Sequence, residues 1–137
     1  EQPKLSPDQY LGRGESILVV DDLEAQRRLA VSMLSRLNYQ VATAASGEEA
    51  VEYLKNRSVD LVVLDMIMSP GIDGLETYRR ILEINPTQKA VIVSGFSETD
   101  RVREAHALGA GSYVQKPYVL EKIGLAIRNE LVKEVHV

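Results

Sequence analysis

Ile17-Leu18-Val19-Val20-Asp21-Asp22 and Leu61-Val62-Val63-Leu64-Asp65 decide how this chain is read. Each is a short, β-branched apolar run that stops on acid. Four apolar residues in a row, without polar alternation, fit a strand buried on both faces. Two further runs, 90–93 and 112–115, stop on Ser94-Gly95 and on Lys116-Pro117. Residues 41–44 supply another strand.

Working outward, the segments between these runs carry helical period. In 24–37, apolar residues recur at Ala25, Leu29, Met33 and Leu37, which reads as one stripe of an amphipathic helix. Ser46, with Glu49 three residues on, is a capping signature for a helix to about residue 55 that buries Ala50, Val51 and Leu54. Residues 74–84 form a helix stopped by Asn85-Pro86, and 98–108 one stopped by Gly109. The last helix, 120–131, aligns Leu120, Ile123, Ile127 and Leu131. Five β-then-α units predict an α/β fold. It is a doubly wound five-stranded parallel sheet of order 2-1-3-4-5, a flavodoxin-like sandwich with helices on both faces.

Composition narrows the function. At 137 residues the chain is one domain in size, and it has no cysteine, which removes disulfides and thiol chemistry and fits a reducing cytoplasm. A net charge of −4, without a basic run, is a poor footprint for nucleic acid. No apolar stretch approaches the ~20 residues that span a bilayer. The opening residues are polar and broken by Pro and Gly, without the pattern of a signal peptide.

In a sheet of this order, ligands bind beyond the carboxyl ends of the strands, where strand order reverses. That edge should gather Asp21, Asp22, Asp65, Ser94 and Lys116 from four strands. Three carboxylates brought close repel one another, and a hard, oxygen-liganded cation such as Mg²⁺ relieves the repulsion. It would also offset the charge of a phosphoryl group reaching one carboxylate, beside the Lys116 ammonium and Ser94 hydroxyl. Taken singly, each residue has a plainer role: an Asp after a strand caps a helix, and Ser-Gly or Lys-Pro makes a turn. The joint placement carries the reading.

These residues resemble the response-regulator receiver family over roughly residues 16–131. The likeness rests on VVDD (19–22), LDM (64–66), Pro70, Asp73-Gly74, Ser94-Gly95 and GAGSYVQKP (109–117). The resemblance implies residues 16–137 as a receiver domain, with 1–15 a tail or interdomain linker. It implies Asp65 as the phosphorylated nucleophile, with Mg²⁺ held by Asp21, Asp22, Asp65 and the Ile67 carbonyl. Ser94 and Lys116 would contact the phosphoryl group, and Pro117 resembles the family's cis proline. Tyr113 takes the aromatic switch position, the alternative being a half-buried strand aromatic. Ile67 and Phe96 would flank the hydrolytic water. Both are apolar, so self-dephosphorylation should be slow. One departure is that Pro70 stands five residues beyond Asp65 rather than four, so Ser69 reads as an insertion.

The implied reaction is phosphoryl transfer from a phosphohistidine, on a histidine kinase or histidine phosphotransfer domain, or from acetyl phosphate. The output is a conformational switch over the fourth helix, fifth strand and fifth helix, a surface that also offers a homodimer contact. The expected context is a cytoplasmic domain of a hybrid sensor histidine kinase, whether or not the parent is membrane-anchored. A stand-alone single-domain regulator is the alternative. An enzyme-class rival, a Mg²⁺-dependent aspartyl-phosphate phosphatase, needs a second Asp two residues past the first and finds Leu23 there. A nucleotide-binding module lacks its glycine-rich loop.

Overall fold

A computed structural model describes residues 7–68, 70–95 and 100–133. Five strands, β1 (Ser16–Val20), β2 (Gln40–Ala44), β3 (Leu61–Asp65), β4 (Ala90–Ser94) and β5 (Tyr113–Gln115), form one parallel sheet of order β2-β1-β3-β4-β5. Five helices connect or follow them: α1 (Glu24–Arg36), α2 (Gly47–Asn56), α3 (Gly74–Ile84), α4 (Asp100–Ala107) and α5 (Leu120–Leu131). This is the doubly wound arrangement expected from the sequence.

Each apolar run divides its side chains between two cores, because successive strand residues point to opposite faces. Leu18, Val20, Val62, Leu64, Ala90 and Ile92 pack with Ala50, Leu54, Leu75, Tyr78, Ile81 and Val102 of α2, α3 and α4. Ile17, Val19, Leu61, Val63, Val91 and Val93 pack with Ala30, Leu34, Ile123 and Ile127 of α1 and α5. The central strands are level: Val20 pairs with Leu64, Asp65 with Val93 and Ser94 with Gln115. Asp21, Asp65, Ser94 and Lys116 therefore emerge along one edge.

The helix starts follow their local chemistry. Ser46 Oγ accepts from the Glu49 amide at 3.0 Å, and Asp73 Oδ1 caps α3 through the Glu76 amide at 3.0 Å. The buried stripe of α1 differs from the expected one. Ala30, Leu34 and Leu37 are buried and Met33 packs against them half-buried, whereas Ala25 and Leu29 face solvent. Two rows on this helix have helical spacing. The one that packs begins at Gln26, whose polarity disguised it.

The stretch read as a tail or linker is packed on the domain over residues 7–15. After a single turn, Pro7–Tyr10, the Gly12 and Gly14 amides donate to the carbonyls of Leu37 and Asn38 at 2.7 and 2.8 Å. Gly12 lies against the Tyr39 ring, where a Cβ would come within 2.3 Å of Cε1. Tyr10 packs beside Gly124 of α5, and Glu15 faces Arg128 at 3.8 Å.

Candidate functional site

Strand ends and the loops behind them build an acidic centre. One carboxylate oxygen each from Asp21, Asp22 and Asp65 lies within 4.8 Å of the others. Asp21 and Asp65 are buried, and Asp22 is half-exposed. The Lys116 ammonium reaches across from β5, donating to Asp21 Oδ2 at 2.8 Å and Asp65 Oδ2 at 3.2 Å. Asp65 Oδ1 accepts the Ile67 amide at 3.2 Å, which folds the loop after β3 back over the site.

The charges are unevenly balanced. Burial pushes the Asp65 carboxyl above its ordinary value of 3.8, and Asp21 adds to the rise, while Lys116 and the Ile67 amide oppose it. Burial alone would lower Lys116, but its hydrogen bonds and charge contacts with Asp21 and Asp65 leave it raised above 10.5. One lysine thus faces three carboxylates. The oxygen-only donor set and its surplus negative charge fit a hard divalent cation with retained waters.

Supporting groups fix this geometry. Ser94 is buried at the end of β4, and its carbonyl accepts the Lys116 amide at 2.8 Å. The Lys116–Pro117 peptide bond is cis. Gly74, the first residue of α3, lets that helix abut β3: a Cβ there would lie 2.4 Å from the Asp65 carbonyl oxygen. Its amide donates to the Met66 carbonyl at 3.1 Å. Ile67 is 51% exposed beside the site. Tyr113 is half-buried against the α2–α3–α4 core. Phe96 and Ser69 lie outside the described residues.

Two neighbours had no place in the sequence reading. Buried Tyr118 has its phenol pushed up by burial and by the charges of Asp21 and Asp65. Arg27, on α1, donates through Nη1 to the main-chain carbonyl of Asp21 at 2.9 Å. Only its position six residues past Asp21, on the helix leaving the site, could have drawn attention to it.

Fold and centre together define a class: doubly wound α/β domains with clustered carboxylates and a lysine at the carboxyl edge of the sheet. This chain belongs to the response regulator receiver domain family, whose model matches residues 17–128. It is 33% identical over 117 residues to sporulation initiation phosphotransferase F of Bacillus subtilis, covering 85% of this chain and 94% of that protein. It is 32% identical to the chemotaxis protein CheY of Thermotoga maritima, covering 77% of this chain and 88% of that protein. Sensor kinase CckA of Brucella abortus is 30% identical over 136 residues, 98% of this chain but 14% of that protein. Among solved structures, the CheX-CheY-BeF3-Mg+2 complex of Borrelia burgdorferi matches at TM-score 0.84 and 25% identity, covering 93% of this chain and all of that one. The protein is a receiver domain of two-component signal transduction. Among the described residues no helix is long and apolar enough to cross a membrane.

Proposed function

We propose that this receiver accepts a phosphoryl group on Asp65 from a phosphohistidine, on a histidine kinase or a histidine phosphotransfer domain, in a phosphorelay. The observation that carries the reading is the convergence of Asp21, Asp22 and Asp65 within 4.8 Å, with Lys116 bridging two of them. Asp21, Asp22, Asp65 and the Ile67 carbonyl would hold Mg²⁺. When bound, the ion supplies positive charge that lets a carboxylate and a phosphoryl group approach each other.

The chain's own residues do the rest. Asp65 is aimed by the Ile67 amide and by Lys116, so one oxygen attacks phosphorus in line while the histidine nitrogen leaves with the bonding pair. Lys116 stays charged across the physiological range and can follow the phosphoryl oxygens as they arrive. Ser94 offers a hydroxyl from the adjacent strand end, and its shift would draw Tyr113 inward, biasing the α4–β5–α5 surface. Exposed, apolar Ile67 cannot orient a water, which supports a long-lived acyl phosphate.

The context we favour is the receiver of a hybrid sensor kinase. The near-complete coverage of this chain within CckA of Brucella abortus supports it. The BeF3 and Mg²⁺ of the Borrelia burgdorferi complex lend the same support to the site.

Incubation with an autophosphorylated histidine kinase tests the proposal. The label should move to this chain with Mg²⁺ present, fail to move to Asp65→Asn, and decay over minutes to hours. Equal transfer to Asp65→Asn would remove the reading. A lifetime of seconds, unchanged by Ile67→Asn, would remove the claim about hydrolysis.

A further inference from the structure

We propose that Arg27 is a positioning residue for the acidic centre, setting the direction of Asp21 by holding its main-chain carbonyl. The inference rests on the phosphoacceptor reading above for its consequence, and on the geometry of Asp21 for its content.

Asp21 is fully buried, and each of its four polar atoms has a protein contact. Its amide donates to the Ala44 carbonyl at 3.2 Å, Oδ1 accepts the Leu23 amide at 2.9 Å and Oδ2 accepts Lys116 at 2.8 Å. Its carbonyl accepts Arg27 Nη1 at 2.9 Å. The Leu23 amide closes the β1–α1 turn on Asp21 Oδ1, and Arg27 holds the same residue from its carbonyl. Leu23, the N-cap of α1, provides no side-chain cap, and it is 55% exposed. The Arg27 amide bonds the Leu23 carbonyl at 3.0 Å, an ordinary i→i−4 bond of the first helical turn, so only the guanidinium distinguishes this residue.

A planar guanidinium on a main-chain carbonyl restrains the peptide unit that joins Asp21 to Asp22, the piece of backbone between two of the acidic centre's carboxylates. If that peptide unit swings free, the turn carrying Asp21 and Asp22 loosens, and the contacts of Asp21 with the Leu23 amide and with Lys116 weaken. Groups one layer behind a metal or reacting centre are worth about 10- to 100-fold in affinity or rate when removed.

Three measurements on the full chain test this: amide hydrogen exchange without metal, Mg²⁺ binding by calorimetry, and acetyl phosphate labelling. In Arg27→Ala, exchange at the Leu23 amide should rise by about 10-fold while Ile127 in α5 stays as in the parent. Labelling at saturating Mg²⁺ and donor should slow by about 10-fold, the loss falling in the maximal rate. Arg27→Lys, which keeps the charge on a single donor, should recover part of both. Leu23 exchange and labelling within twofold of the parent in both variants would overturn the proposal, as would tighter Mg²⁺ binding with an unchanged rate, the mark of a mere nearby charge. Exchange rising equally at Leu23 and Ile127 would also overturn it, because Arg27 would then be a general stabiliser. If the parent itself takes no label while Leu23 responds as expected, the phosphoacceptor reading fails and the positioning role stands.

Discussion

Asp65 is pulled two ways. Burial and the neighbouring Asp21 carboxylate disfavour its charge, while Lys116 and the Ile67 amide favour it, and the first pair wins. An acid whose folded value is raised gives stability that is complete below 3.8 and is lost as pH rises through the folded value. At neutral pH an ionised, metal-free Asp65 therefore works against folding. Asp65→Asn should raise the melting temperature of the metal-free protein and should blunt the further rise that Mg²⁺ gives the parent. A lower melting temperature for the variant in chelator would contradict this. Gly74 is the opposite case, a residue needed for what it lacks. Gly74→Ala drives a methyl into the Asp65 carbonyl and Met66 Cα, at 2.4 and 2.6 Å, and should cost about 1–3 kcal/mol in urea unfolding. An unchanged midpoint would mean that α3 slides away freely.

At the scale of elements, residues 7–15 stand out because they cover Tyr39 and brace α5. Deleting residues 1–15 exposes the Tyr39 ring and the Leu37–Gly124 contact, and should destabilise the domain by about 2 kcal/mol. Thermal unfolding of the truncated protein checks it, and no loss would show the packing to be incidental. Most elements were legible in the sequence because their signals were local: continuous apolar runs for strands, Ser46 for a helix start, Asn85-Pro86 for a stop. Two things were not. The buried row of α1 starts at polar Gln26, so hydrophobic spacing placed Met33 and Leu37 in the core but put Ala25 and Leu29 there in place of Ala30 and Leu34. The docking of residues 7–15 depends on amides of Gly12 and Gly14 meeting a turn far along the chain, and such bonds leave no periodic trace. The acidic centre was visible because each of its residues ends a strand. Arg27 sits in a helix among other charged residues, where nothing in the spacing distinguishes it.

For the whole molecule, the burial that builds both cores also fixes its behaviour in alkali. Burial, with the charge of Glu15, pushes the Tyr39 phenol from 10.0 to about 12, and burial with Glu130 does the same to Tyr78. Lys116 is raised as well. Groups raised in the folded state give stability that is intact below their unfolded values and lost as pH climbs through the folded ones. All three act in one direction. Each phenol represents roughly 2–3 kcal/mol, so stability should fall steeply between pH 10 and 12. Tyr39→Phe should move that fall upward. A flat profile through this window would contradict the burial of these rings.

The central claim is that distant carboxylates meet around one Mg²⁺ and leave Asp65 to take the phosphoryl group. Its most direct test is to treat the chain with acetyl phosphate, reduce the acyl phosphate with borohydride and map the altered residue by mass spectrometry. With Mg²⁺ the modification should fall on Asp65, and with chelator it should vanish. Modification elsewhere, or at Asp65 to the same extent in chelator, would contradict the account.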